Sequence, residues 1–478
     1  MDKEMSRPAE ELIERARRMV APLAERLEMA ERLEPYTAQM WDGSATPYPV
    51  LHFDDFSEIP FLVDITGVEE YQHRARLRAA PGDLFAAVTP LTPGYEDYCR
   101  QRLCLGEVEF LLAEPVDGLM AVAQACGAGA VWQRLVERTR EAGGLVIHPF
   151  MGTEAVWKLG RQLAAETGVE ISVVAPPPPA TWIANDKALF GEVVELVLGN
   201  GWLVETHRAA DIVSLAGYLL HLAERHRRVA LKRLRCASAM GNAVFEAPEL
   251  QKAGAAGVET LVRDFLERTE WDGDEEVLAV AWEETDISPS TQMWIPPAGA
   301  GLPRLDGIYE QILKGDHKVF IGSRPSGLPA AVNEQMATAS LEVAAGLQAL
   351  GYLGRCSFDF VVVGDPETDF QIRFTECNGR WGGTSSPMAL LDRLVGPQRP
   401  AYRSQYVVHP RLVGASFVDL LDRVGEEVFD AGTGRGRFVF YNTGPLADFG
   451  KMDVIAIGRS REEADAAFEE DLPRLLGL

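Results

Sequence analysis

The chain has little that would tie it to a membrane, a nucleic acid or an oxidising compartment. No run of 18 apolar residues occurs in its 478 positions, and the opening stretch MDKEMSRPAEELIERARRMV is charged throughout, so neither a membrane span nor a secretory leader is expected. The six cysteines (Cys99, Cys104, Cys126, Cys236, Cys356, Cys377) form no C-x-x-C pair and keep no regular spacing. That excludes a disulfide framework or a thiolate zinc site and fits a reducing cytosol. Basic residues are scarce: 46 Lys and Arg against 71 Asp and Glu leave a net charge of −25, which repels nucleic acid. No internal repeat or low-complexity tract is present. No dinucleotide fingerprint stands out either: Gly127-Ala128-Gly129 follows a helix, and Gly432-x-Gly434-x-Gly436 precedes a strand, where a bend is expected. A cytoplasmic protein with small-molecule or peptide partners, and neither nucleic acid nor membrane among them, is the expectation.

What the chain does contain is ordinary for a soluble globular protein, with 47% hydrophobic and 24% charged residues in a length that calls for two or three domains. Residues 8–34 carry apolar positions at helical spacing. Beyond Pro49, short apolar runs (84–89, 108–112, 145–148, 170–174) alternate with helical stretches such as 95–103 and 131–142, which predicts an α/β domain with a sheet covered by helices. His148 on one of these strands reads as a satisfied core histidine. The prolines at 176–179 read as an extended linker.

After them comes TWIANDKALFGEVVELVL, in which Asn185-Asp186 caps a helix that begins near Lys187. A cation is poorly placed at a helix N-terminus, so a lysine held there suits an anionic ligand. Further on, a strand carrying Lys232 runs into a small-residue loop with Ser238, Gly241 and Asn242, whose backbone N–H groups could wrap phosphate oxygens. A second apolar strand ends in Glu283-Glu284, and the polar Gln311, Lys318, Ser323 and Arg324 follow before a helix over 337–350.

The most informative stretch is Ser357–Pro387, SFDFVVVGDPETDFQIRFTECNGRWGGTSSP. Two strands, 358–363 and 370–375, flank the turn Gly364-Asp365-Pro366-Glu367. Symmetrical closure would set Val363 opposite Phe370 and Asp359 opposite Phe374. Glu376 would then lie diagonal to Asp359 on one face, with Asn378 just beyond. An acid inside FDFVVV is costly unless paired or ligated, and two carboxylates with an amide oxygen suit Mg²⁺. A β-bulge would change this register. Cys377, between an acid and an amide, reads as packing.

In their order, the N-D-K element, the strand lysine with its loop, the strand-end acids and the hairpin ending E-x-N-G-R-x-G-G resemble the ATP-grasp superfamily of carboxylate–amine ligases over residues 185–387. The layout of the whole chain resembles the pheganomycin-type peptide ligases. The loop departs from the usual pattern, with Ala237, Ala239 and Met240 where many relatives have glycine. The resemblance implies an N-terminal pre-ATP-grasp α/β domain (1–178), a two-subdomain α+β ATP-grasp domain (179–396) and a small C-terminal α+β module (397–478). It implies ATP and Mg²⁺, with nucleotide contacts from Lys187, Lys232, Ser238, Gly241, Asn242 and one or other of Glu283 and Glu284. Metal contacts fall to Asp359, Glu376 and Asn378, and a catalytic role to Arg380. The implied reaction joins a carboxylate-bearing amino acid or derivative to an amine through an acyl phosphate, in bacterial secondary metabolism. Transfer to a carrier-protein thiol and a non-catalytic ATP-binding regulator are the alternatives. The oligomeric state is left open, a homodimer included.

Overall fold

Consecutive parallel strands need a crossover between them, and the helical stretches of the first third of the chain supply it. A computed structural model describes residues 6–60, 62, 65–236, 241–315 and 318–478. Strands β1 (Val50–Phe53), β2 (Leu84–Ala87), β3 (Glu109–Leu112), β4 (Gly144–Pro149) and β5 (Glu170–Val173) form a parallel sheet in the order β3-β2-β1-β4-β5. Four of these match the expected apolar runs. The central β1 does not stand out in sequence, because VLHF is short and carries a histidine. Leu51 and Phe53 of β1 are buried with Leu135, Trp157, Leu159 and Leu163 of the helices Gly129–Ala142 and Glu154–Thr167.

The proline run is not an extended linker. Pro177 precedes, and Pro178 and Pro179 begin, the helix Pro178–Asn185, and all four prolines are buried. The first turn of a helix leaves its N–H groups unpaired in any case, so proline loses nothing there. The next helix, Lys187–Leu198, starts as expected, with Asp186 Oδ1 accepting from the amides of Ala188 (3.1 Å) and Leu189 (3.2 Å).

Strands β6 (Thr206–Ala209), β7 (Arg228–Arg233), β8 (Asn242–Glu246) and β9 (Val277–Ala281) form an antiparallel sheet in the order β6-β9-β7-β8. Side chains alternate across it. Val229 and Leu231 pack against the helices Ile212–Leu222 and Ala247–Arg268, while Ala230, Lys232 and Leu234 face the other way.

The third sheet holds β10 (Pro289–Ile295), β11 (Arg304–Lys314), β12 (Val319–Pro325), β13 (Gly354–Asp365), β14 (Asp369–Asn378), β15 (Ala401–Val408), β16 (Phe438–Asn442) and β17 (Lys451–Gly458). Its order is β14-β13-β10-β11-β12-β15-β17-β16, antiparallel throughout, so it runs without a break across position 397. The seam is close: a Cβ on Gly322 would lie 2.3 Å from the Ser404 carbonyl oxygen, which only glycine accommodates. Val20 and Leu23 of the helix Ser6–Arg26 join the core between this sheet and the helices Lys187–Leu198 and Ala330–Ala349. Among the described residues, no helix is long and apolar enough to cross a membrane.

Phe374 anchors that core, with its ring 4.3 Å from Phe360, 5.8 Å from Phe358 and 5.9 Å from Phe190. Phe374→Ala should lower stability by about 3–5 kcal/mol, read as an earlier denaturant midpoint. Phe370→Ala, at the partly exposed hairpin tip, should shift it less; equal shifts would contradict this packing.

Candidate functional site

The hairpin that bears the acids does not close symmetrically. Asp365 faces Asp369, Gly364 faces Phe370 and Phe360 faces Phe374, one step away from the expected register. A bulge then follows between Phe360 and Asp359, with Thr375 as the extra residue. Thr375 Oγ1 donates to the Asp359 carbonyl oxygen (3.1 Å). Beyond the bulge Asp359 stands directly opposite Glu376, and Ser357 opposite Asn378. The bulge corrects both the expected pairing of Asp359 with Phe374 and the diagonal placement of the acids.

The two carboxylates have different neighbours. Glu376 Oε2 lies 3.1 Å from Lys187 Nζ, which is 3.4 Å from Cys236 Sγ. Asp359 Oδ2 accepts from Asn378 Nδ2 (3.0 Å), and Asn378 Oδ1 accepts from Arg380 Nη1 (2.8 Å). Burial would raise Glu376, yet Lys187 and Lys232 hold its carboxyl below the ordinary range. Asp359 has no cation within 4.0 Å among the described residues, and burial, then the Glu376 charge, push it up to about 7. Burial would lower Lys187, but Cys236 and Glu376 raise it. Lys232 stands 5.5 Å from the Trp282 ring centroid, and burial lowers it. Burial likewise lowers Arg380 despite the nearby acids.

These groups line a cleft between the four-stranded and eight-stranded sheets. Lys232, Asn242, Glu283, Asp359, Glu376, Asn378 and Arg380 all border it. Lys187 lines a small side pocket that shares Glu376, Asn378 and Arg380 with the cleft. Glu284 is elsewhere: it is exposed and pairs with Arg227 (3.4 Å) and Arg228 (3.3 Å). Gly241 is packed tightly, since a Cβ there would lie 2.7 Å from Cys236 Cβ, and its carbonyl accepts from Arg233 N (2.9 Å). Ser238 lies outside the described residues. Hard oxygen donors on one face, one of them lacking a cation, fit a divalent ion held by Asp359 and Glu376 with Asn378 beside them.

Sequence reading missed Ser290 and Gln292. Both are buried cleft residues on β10, where Ser290 pairs with Asp359 and Gln292 with Ser357. Their signal was the polar run Ser290-Thr291-Gln292 at the start of an apolar strand, of which the period of two places Ser290 and Gln292 on one face. Of the polar residues left open, Gln311 and Lys318 border the cleft. Ser323 is buried, and Arg324 pairs with Asp465 (2.8 Å) and Glu310 (3.4 Å). Cys377 is buried in the core, and burial pushes its thiol up. His148 packs against the rings of His52 (5.3 Å) and Trp381 (5.6 Å), and its Nε2 has no hydrogen-bond partner among the described residues.

No protein-family model matches the chain, and no curated protein matches it in sequence. Solved structures do resemble it. The N5-carboxyaminoimidazole synthetase from Staphylococcus aureus, complexed with ADP, aligns at 8% identity and a TM-score of 0.51 over 91% of this chain and 99% of that one. The N5-carboxyaminoimidazole ribonucleotide synthetase from Thermus thermophilus aligns at 14% and 0.51 over 90% and 99%. A β-γ-ATP complex of biotin carboxylase from Campylobacter jejuni aligns at 12% and 0.50 over 84% and 86%. At these identities the likeness shows the fold: an α/β domain followed by an ATP-grasp architecture, as the motif order implied.

The raised Asp359 carboxyl has a consequence for stability. Its folded-state pKa of about 7 lies above the ordinary value of 3.8, so folding favours the proton and stability falls as pH rises between those values. Without Mg²⁺, Asp359→Asn should therefore unfold at a higher temperature than the natural protein, by a margin that grows from pH 5 and levels off above pH 7. A margin independent of pH would contradict the assignment.

Proposed function

We propose that the chain is an ADP-forming carboxylate–amine ligase. One observation carries this reading: Asp359 and Glu376 stand opposite each other at the floor of a cleft in an ATP-grasp fold, bracketed by Lys187, Lys232 and Arg380. The ADP in the Staphylococcus aureus synthetase and the nucleotide in the Campylobacter jejuni carboxylase support ATP as the cosubstrate. Mg²⁺ bound with ATP would supply charge neutralisation at the β- and γ-phosphates.

The chain's own residues do the positioning. Asp359 and Glu376 would hold the metal, and the Asn378 amide oxygen would join them by leaving its bond with Arg380 Nη1. Lys187 and Lys232 would contact phosphates, and Gly241 and Asn242 lie where a phosphate-covering loop returns to the sheet. Glu283, which borders the cleft, takes the nucleotide side in preference to the outward Glu284. A carboxylate oxygen attacks the γ-phosphorus, the bond to the β-phosphate oxygen breaks, and ADP leaves with the electron pair. The amine nitrogen then attacks the acyl carbon, the C–O bond to phosphate breaks, and the amine proton passes to phosphate or water. Arg380 stabilises the acyl phosphate and the tetrahedral species that follows. Residues 1–178 and 179–396 serve as the pre-ATP-grasp and catalytic units, and 397–478 is a small C-terminal module whose strands extend the catalytic sheet. An amino-acid donor, a peptide-type bond and a place in bacterial secondary metabolism are the finer form of the proposal and rest on the resemblance in layout.

ADP release with Mg²⁺-ATP across a panel of amino acids and peptides tests it. Release should require two cosubstrates, and it should fall by roughly 10²-fold or more in an Asp359→Asn/Glu376→Gln double variant. Arg380→Ala should lower kcat with little change in the KM for ATP. ATP binding with no ADP above the double variant's level would favour a non-catalytic regulator instead.

A further inference from the structure

A second cavity adjoins the cleft and shares Phe320, Arg380, Gly382 and Gly383 with it. Its walls come from residues within 56–60, 62 and 65–74, from Phe150, and from the strands β12, β15, β16 and β17. Most of the lining is apolar, with Phe56, Ile59, Leu62, Ile65, Val68 and Phe150 on one side. Besides Arg380, three charged side chains border it, and each is more than nine-tenths buried: Arg74 (6% exposed), Lys451 (7%) and Asp453 (8%).

None of the three has an opposite charge within 4.0 Å among the described residues. The Arg74 guanidinium lies 4.7 Å from the Tyr71 ring centroid, 5.7 Å from Phe150 and 5.9 Å from Phe56. Among the described residues its one hydrogen bond runs from Nε to the Tyr71 carbonyl oxygen (3.2 Å). Lys451 Nζ donates to the Thr66 carbonyl oxygen (3.0 Å) and to Tyr71 Oη (2.6 Å). Asp453 accepts from Asn442 Nδ2 (2.7 Å). Buried charges are ordinarily paired. Here aromatic faces and neutral partners hold the charged heads; Arg74 and Lys451 act on Asp453 through space, but no direct ion pair forms among the described residues.

We propose that this cavity binds the amine cosubstrate, and that this cosubstrate is a free α-amino acid with a large apolar or aromatic side chain. The proposal rests on the ligase reading. Arg74 and Lys451 take its carboxylate, Asp453 takes its ammonium, and Phe56, Ile59 and their neighbours take the side chain. Position assigns the role. Asp359 and Glu376 border the first cleft and not the second, so the carboxylate to be activated sits on the first side of Arg380. A carboxylate held by Arg74 belongs to the other partner, whose ammonium passes one proton to Asp453 so that the neutral nitrogen reaches the acyl carbon past Gly382 and Gly383. Gly383 lets the Phe320 ring lie against the backbone there, since a Cβ would come within 2.6 Å of it, so that ring borders the passage.

The test is calorimetric titration of the full chain with L-phenylalanine and L-phenylalaninamide, which lacks the carboxylate, without ATP. The acid should bind at least about tenfold more tightly than the amide, as expected for one charge-assisted contact. In Arg74→Ala that ratio should fall to about one, and in Arg74→Lys it should recover in part. Because the ratio is taken within one protein, a loss of folded material does not mimic the effect. An unchanged ratio in Arg74→Ala, equal binding of the two probes by the natural protein, or no binding of L-phenylalanine would each overturn the proposal. Hydroxylamine as the acceptor in the ADP-release assay reads activation without this cavity. Activity with hydroxylamine and an unmoved binding ratio would reject the amino-acid site alone. An Arg74-dependent ratio with no ADP release would reject the ligase reading alone.

Discussion

A single inserted residue in one strand decides what this cleft can do. In the register set by Gly364 and Phe370, Asp359 would face Thr375, and Glu376 would point into the core beside Phe358 and Phe374. The bulge at Thr375 returns Glu376 to the face of Asp359 and sends Cys377 into the core in its place. The Glu376–Lys187 pair, the Asn378–Asp359 bond and the Arg380–Asn378 bond all follow from that shift. The aromatic cluster around Phe374 is what holds the strand on the near side of the bulge.

Charge is then distributed with economy. In a chain with a net charge of −25, Lys187, Lys232 and Arg380 are gathered at one floor, and Arg74 and Lys451 at the adjoining one. Glu376 is neutralised by lysine, whereas Asp359 is left to its own burial, which makes it the acid whose ionisation a divalent cation would most favour. Arg380 belongs to both cavities, so the group suited to an acyl phosphate also separates the two places where substrates could sit.

Much of this was legible from the residues. The parallel strands at Leu84, Leu145 and Glu170, the Asp186 cap and the acid-bearing hairpin all follow from periodicity, propensity and turn chemistry. The bulge was not, because a residue's pairing partner depends on the whole sheet and leaves no local mark in FTECN. The proline run misled for a different reason: an extended segment and a first helical turn both accept proline, and only the burial of Pro176–Pro179 tells them apart. The strand-end acids could not be separated in sequence, since adjacent residues point apart only once the backbone is placed. The second cavity was invisible, as Arg74 and Asp453 are brought together by a sheet that continues through β15 to β17.

The two opposed carboxylates, Asp359 and Glu376, are proposed to hold a metal together with a nucleotide. Mn²⁺ in place of Mg²⁺, titrated with a non-hydrolysable ATP analogue and followed by electron paramagnetic resonance, tests it without any need to know the substrates. Mn²⁺ should bind the natural protein in the presence of the analogue, and at least roughly tenfold more weakly when Asp359→Asn and Glu376→Gln are combined. Equal affinity in the two proteins would contradict it.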